Sequence, residues 1–288
     1  MSLLTLPNDL VSVKWLAENI NDSSLILLDA SYFMPALKRD GKTEWSAETI
    51  PGARYFDFDK SICDPSSALP HMMPSAELFQ QAVQALGINQ SSCLVVFDRL
   101  GIFSSPRVWW MFKSMGFNNI AVLNGGLTSW KEQRLATSPG KLKSNIDKGD
   151  FIAHYQADFI ADKHVVLSAI DNEHSQIIDA RAKNRFLGEV VEPRAELRSG
   201  HMPTAKNLPF SDLIENGEMR SSEQLKPLYE QLIDKQHNVI FSCGSGVTAC
   251  VLALGASLCG YKNLTVYDGS WTEWGADKCL PIITSGDK

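Results

Sequence analysis

Cys243 stands where a thiol could become a nucleophile. The residues before it, Val239-Ile240-Phe241, form a short β-branched and aromatic run that reads as a buried strand. From Ala249 through Cys259 the sequence is apolar on nearly every side, which predicts a buried helix ending at Gly260. The cysteine therefore closes a strand, and Gly244-Ser245-Gly246-Val247-Thr248 carries the chain into the helix. Two glycines open backbone conformations to this loop that other residues avoid. A loop curled in this way turns successive amide N–H groups toward one point, with the helix N-terminus behind it. The atom at that point is the sulfur of Cys243, and such surroundings favour the thiolate, the form that attacks. The plainer alternative is a cysteine buried as a small apolar side chain, the common fate of a free thiol. A packing cysteine needs no glycine-rich loop between strand and helix, so the nucleophile is preferred. A cysteine in an amide nest also describes cysteine-dependent phosphatases. Those need an arginine six positions after the cysteine to hold phosphate, and here that position is Ala249, so this chemistry is excluded.

The elements that must hold this loop are written twice. Leu25-Ile26-Leu27-Leu28-Asp29-Ala30 matches Gln176-Ile177-Ile178-Asp179-Ala180, each a strand closed by Asp-Ala. Ile50-Pro51-Gly52-Ala53 matches Met202-Pro203-Thr204-Ala205, and Gly116-Phe117-Asn118-Asn119-Ile120 matches Gly260-Tyr261-Lys262-Asn263-Leu264. Trp130 and Trp274 complete the match at an offset of 144, half the chain, so a duplicated domain is the economical reading. Helical and strand patterns alternate in each half, which predicts an α/β fold: two tandem domains, each a mostly parallel sheet with helices on both faces. We expect a first domain over residues 1–138, a polar Pro- and Gly-punctuated connection over 139–153, and a second domain over 154–288. The offset of 144 carries Cys243 back onto Arg99, where no cysteine occurs and the glycine spacing is lost. Only the second half can then carry the chemistry.

Composition narrows the partners. The chain has 288 residues, 44% apolar and 21% charged, in the range of globular proteins with room for two domains. A net charge of −6 with no basic cluster argues against nucleic acid. The opening residues lack the basic start and apolar core of a secretory signal, and no apolar run is long enough to span a bilayer. Six cysteines (Cys63, Cys93, Cys243, Cys250, Cys259 and Cys279) are scattered without a C-x-x-C pair. They read as reduced cytoplasmic thiols, with no disulfide framework, metal site or cofactor called for.

Several stretches in order along the chain resemble the rhodanese superfamily. They are Leu69-Pro70-His71-Met72-Met73-Pro74, Pro106-Arg107-Val108-Trp109-Trp110-Met111, Arg185-Phe186, Glu192-Pro193-Arg194, Gly200-His201-Met202-Pro203, and Tyr267-Asp268-Gly269-Ser270-Trp271. The Cys243-Gly244-Ser245-Gly246-Val247-Thr248 loop is similar to that of tandem-domain members whose sulfur donor is 3-mercaptopyruvate. The resemblance implies a sulfurtransferase. Cys243 takes the donor's sulfur as a persulfide, pyruvate leaves, and an acceptor such as thioredoxin, a small thiol or cyanide collects the sulfur. It implies substrate binding by Arg185 and Arg194, whose planar forks suit a carboxylate and keto oxygen, and by Gly244, Gly246, Val247 and Thr248. It implies a proton relay of Ser245, His71 and Asp59, drawn from both halves, after the logic of a hydrolase triad. Trp271 and Trp274 are candidates for the pocket wall, against the usual core role of aromatics. One departure is Thr49, where the family has histidine, as at His201; we expect it to touch loop packing and not the chemistry.

Two rival readings share the fold. A thiosulfate sulfurtransferase would form the same persulfide, but a dianionic donor favours basic residues beside the cysteine, where Gly244 and Ser245 are neutral. A non-catalytic rhodanese-like binding module would have lost the cysteine.

Overall fold

The structure, a computed structural model, describes residues 4–141 and 146–286. The expectations for the first three residues and for 142–145 of the connection fall outside them. Compact packing divides the chain into two units. The first comprises Met1–Pro65, Met73–Gln156 and Asn216–Met219, and the second comprises Ser66–Met72, Ala157–Glu215 and Arg220–Lys288.

In the first unit β1 (Leu10–Val11), β2 (Leu25–Asp29), β3 (Arg54–Tyr55), β4 (Cys93–Phe97) and β5 (Ile120–Leu123) form one sheet in the order β1-β5-β4-β2-β3. Every pairing is parallel. The central strands read Leu-Ile-Leu-Leu-Asp and Cys-Leu-Val-Val-Phe, apolar on both faces because helices cover both. Leu27, Val95, Phe97, Ala121 and Leu123 share one face with Val13 and Leu16 of the helix Val13–Asn19 and Leu127 and Trp130 of the helix Gly126–Glu132. Alternate strand residues point the other way. The helices Ala76–Ala85 and Ser105–Ser114 bring Phe79 and Phe112 into edge contact at 5.0 Å, and Phe151 meets both rings at 5.8 Å. The stretch expected to connect the domains thus runs along the first unit, where His154 and Gln156 donate their amides to Met115 and Ser114.

The second unit repeats the plan. Its strands β6 (Ile160–Ala161), β7 (Ser175–Asp179), β8 (Lys206–Asn207), β11 (Asn238–Ser242) and β12 (Leu264–Tyr267) lie in the order β6-β12-β11-β7-β8, all parallel. Two short strands, β9 (Ile214–Glu215) and β10 (Glu218–Met219), precede β11 in the chain. Ile177, Ile240 and Tyr267 pack with Val166 and Ala169 of the helix Lys163–Ile170 and with Trp271 and Trp274 of the helix Ser270–Trp274. The helix after β11 spans Ala249–Leu258 and is buried almost throughout, as its sequence requires. It ends two residues before the expected Gly260, whose φ of +87° supplies the left-handed step that closes it.

Candidate active site

The sheet order decides where this unit opens. From β7 the chain moves outward to β8, whereas from β11 it moves the other way to β12. The loops leaving these neighbouring strands diverge, and in open parallel sheets that divergence makes a crevice at the strands' carboxyl ends. Cys243 is the first residue after β11, and Arg181 and the short helix Lys183–Phe186 follow β7.

Partners distant in the chain hold the loop after β11. The Cys243 amide donates to Ser270 Oγ at 3.1 Å, and that hydroxyl donates to the Tyr267 carbonyl at 2.7 Å. Ser270 takes a φ of +48° at this junction, a conformation that costs a non-glycine residue about 1 kcal/mol. The Cys243 carbonyl accepts from the Trp271 amide at 3.0 Å. The Gly244 carbonyl accepts from both the amide and the hydroxyl of Thr272, at 2.9 and 2.6 Å. Both carbonyls are thus tied back onto the N-terminal turn of the helix Ser270–Trp274. A peptide whose carbonyl is pinned on one side presents its N–H on the other. Gly246 adds a left-handed step at φ +73°, and its carbonyl accepts from Cys250 Sγ at 3.3 Å. Among the described residues the amides of Gly244, Ser245, Val247 and Thr248 donate to no backbone carbonyl. Cys243 itself is 1% exposed; Gly244, Ser245 and Thr248 form the half-buried side of the loop.

The first unit shows what such a loop does with an anion. Cys243 matches Asp98 there, and the Arg99 expected from the offset is one residue late. The Ala30 amide meets the Phe97 carbonyl as Ala180 meets Ser242, and the Leu127 amide meets the Asp98 carbonyl as Trp271 meets Cys243. The offset is 145 at the strand and 144 at the following helix, because the first unit's loop region is one residue longer. The Asp98 carboxylate is buried and accepts from the amides of Leu100, Phe103, Ser104 and Ser105 and from the Ser105 hydroxyl, at 2.7–2.9 Å. The loop is an amide nest filled by its own side chain.

Arginines stand on the other side of the crevice. Arg181 is buried, gripping Asp179 through Nε and Nη2 and reaching Glu192 Oε1 with Nη1 at 3.0 Å. It also lies over the Trp271 ring at 4.1 Å. The same buried Glu192 holds Arg185, Oε1 accepting from Nε at 3.2 Å and Oε2 from Nη2. Arg185 Nη2 lies 3.5 Å from where a Cβ on Gly244 would stand, so this guanidinium faces the loop. Arg194 Nη1 donates at 3.1 Å to Thr272 Oγ1, the hydroxyl that also holds the Gly244 carbonyl. The structure therefore gathers Cys243, Gly244, Arg185 and Arg194 around one crevice. Asp179, Arg181, Glu192, Ser270 and Thr272 had no assigned part in the sequence reading. An Asp-Ala-Arg ending to β7, where β2 ends Asp-Ala-Ser, was the one available signal.

The remaining expected residues fall as follows. Ser245 sits in the loop. His71 is buried with φ +63° in the segment 66–72, which packs with the second unit although it precedes most of the first. Asp59 belongs to the first unit, where its carbonyl accepts from Cys63 Sγ at 3.4 Å. Trp271 and Trp274 are fully buried in the core and do not wall a pocket; their indole N–H groups donate to Arg198 and Pro281 carbonyls. Thr49 donates its hydroxyl to buried Asp29 at 2.8 Å, with Ser31 on the same carboxyl group. Ser31 stands where the second unit has Arg181, and Arg99 acts on the same carboxyl group through its charge. Burial pushes the Asp29 carboxyl up. His201, its counterpart, stacks on Phe186 at 3.9 Å and donates Nδ1–H to that residue's carbonyl at 2.8 Å. None of the six cysteines forms a disulfide. Among the described residues no group of three or more His, Cys, Asp or Glu is placed to hold a metal, and no helix is long and apolar enough to cross a membrane.

Known proteins resemble this chain over most of its length. Residues 12–133 and 162–277 each match the family of the Rhodanese-like domain. The chain is 40% identical over 273 residues to 3-mercaptopyruvate sulfurtransferase of Mus musculus, covering 92% of this chain and 91% of that protein. It is 38% identical over 293 residues to thiosulfate/3-mercaptopyruvate sulfurtransferase 1, mitochondrial, of Arabidopsis thaliana, covering 94% and 77%. The crystal structure of SseA from Escherichia coli, a 3-mercaptopyruvate sulfotransferase, matches with a TM-score of 0.83 at 36% identity, covering 92% of this chain and 99% of that one.

Proposed function

The chain belongs to the rhodanese family through both of its domains, and from that premise we propose that it is a sulfurtransferase that draws sulfur from 3-mercaptopyruvate through a persulfide on Cys243. The observation that carries this reading is the loop after β11. Its first two carbonyls are tied away by Trp271 and Thr272, and the cysteine sits at its origin. Loop amides turned inward stabilise a thiolate before transfer and the charged outer sulfur of the persulfide after it.

The reaction balances without a cofactor. The Cys243 thiolate attacks the donor sulfur and the donor's carbon–sulfur bond breaks, its electron pair passing to the carbon as the enolate of pyruvate. The proton carried by the donor thiol moves to that carbon, releasing pyruvate and leaving a persulfide anion. Ser245 and His71 serve as the proton carriers, a hydroxyl and an imidazole each being able to pass a proton along a hydrogen bond. Arg185 and Arg194 hold the donor's carboxylate and keto oxygen and so aim its sulfur at Cys243. An acceptor thiol such as thioredoxin, or cyanide, then removes the outer sulfur and restores the thiolate. Six cysteines and no disulfide suit a reducing compartment, and we place the reaction in the cytoplasm.

Thiosulfate is the second reading. Two arginines at the crevice can attract a dianion, and the relative from Arabidopsis thaliana is named for both donors. One experiment separates them. The protein is mixed with each donor alone, pyruvate is measured, and the Cys243 peptide is weighed for one added sulfur. Sulfur on Cys243 with pyruvate release supports the first reading; loading by thiosulfate alone supports the second; an unmodified Cys243 peptide with both donors overturns the persulfide.

A further inference from the structure

We propose that Glu192 is a positioning residue that sets donor preference, by orienting Arg185 and cancelling its charge. The inference rests on the reading of Arg185 as a donor ligand and goes beyond it. Glu192 is a buried carboxylate shared between two guanidinium groups, Arg181 and Arg185. It meets Arg185 along the Nε–Nη2 edge, which leaves the Nη1 end of the fork for an incoming carboxylate. Arg185 is only partly covered, with 24% of its side chain exposed, while Glu192 beneath it is completely enclosed. One side of the fork is therefore fixed by the protein and the other is offered to the crevice.

Charge gives the arrangement its selectivity. Asp179, Arg181, Glu192 and Arg185 form a continuous set of two carboxylates and two guanidiniums that sums to zero. Arg194 is bound to the Thr272 hydroxyl, and among the described residues it has no carboxylate partner. Apart from the Cys243 thiolate, these side chains thus present one net positive charge to the donor. That matches a donor carrying a single carboxylate, and it undercompensates thiosulfate, which carries two negative charges. A bidentate fork also rewards a planar carboxylate more than a tetrahedral anion. Glu192 supplies both effects from one position.

The test is Glu192→Gln, which keeps shape and removes charge, with Glu192→Asp as the variant that keeps charge and loses reach. Both are assayed with each donor beside the wild type. For Glu192→Gln we expect kcat/KM with mercaptopyruvate to fall about 30-fold, mostly in KM, as Arg185 loses its anchor. With thiosulfate kcat/KM should rise about tenfold, the effect of one uncancelled charge at short range. Glu192→Asp should lose mercaptopyruvate activity without gaining thiosulfate activity. Discharge of preloaded persulfide to cyanide should stay within about twofold of wild type, because it needs no aimed carboxylate. A common factor for both donors, or a loss with thiosulfate in both variants, overturns the proposal, and simple unfolding would produce that pattern. A wild type that releases no pyruvate sinks the mercaptopyruvate reading instead, which keeps the two failures apart.

Discussion

Replacing Asp98 asks whether the first unit's loop is built around its own carboxylate. Four amides and one hydroxyl end on that group, the Leu100 amide on one oxygen and the other four donors on the second. Asp98, Ser104 and Ser105 are buried, so water cannot replace the lost acceptor without local opening. Each buried donor left without an acceptor costs about 1–3 kcal/mol, less whatever the loop recovers by relaxing. Complete loss of the five bonds would overshoot the range seen when a buried charged network is broken, so relaxation must return part of it. We therefore expect Asp98→Ala to destabilise the first unit by about 4 kcal/mol. Asp98→Asn keeps one oxygen for the four donors but sets its NH2 against the Leu100 amide, and should cost about 2 kcal/mol. Two units need not unfold together, so the assay is hydrogen exchange read on peptides covering residues 98–105, supported by urea unfolding. The alanine variant should lose most protection at Phe103, Ser104 and Ser105. Protection unchanged in that variant, or both variants within about 1 kcal/mol of wild type, would refute the nest.

Cys243→Ser should abolish pyruvate release and sulfur loading with either donor, and surviving turnover would remove the nucleophile. Thr272→Val deletes the hydroxyl that joins the Gly244 carbonyl to Arg194. It should cost about 1–2 kcal/mol in thermal unfolding and raise KM for mercaptopyruvate about tenfold; unchanged kinetics would show that the loop holds its shape without it. Burial pushes the His201 imidazole down from its ordinary value of 6.5, outweighing the Phe186 carbonyl, which acts the other way. The unfolded chain therefore takes up this proton first as pH falls. The stability tied to neutral His201 is complete above about 6.5 and is lost as acid approaches the lower folded value. Melting temperatures should drop across that window and drop less in His201→Gln; parallel curves would contradict it.

The duplicated halves, the parallel α/β class and the strand, loop and helix around Cys243 were all legible in the sequence, because each is written in neighbouring residues. A β-branched run, two glycines and an apolar helix define the Cys243 loop within about a dozen positions. Repeated Asp-Ala and Trp landmarks reveal the duplication. The equivalent of Cys243 was misplaced by one residue, since a fixed offset cannot show where the loop's extra residue falls. Trp271 and Trp274 were offered as a pocket wall and proved to be core, because burial depends on what packs above a residue.

Tertiary structure decided the support of the site. Ser270 and Thr272 reach the cysteine loop from 27 and 28 residues away, and Glu192 joins Arg181 to Arg185 inside the fold. Such partnerships are set by which strand ends lie side by side and by which carboxylates are denied water. Local sequence can nominate a thiol and two arginines. Only the folded sheet, by bringing the ends of β7, β11 and β12 together, turns the loop's carbonyls outward and gives each guanidinium a fixed direction.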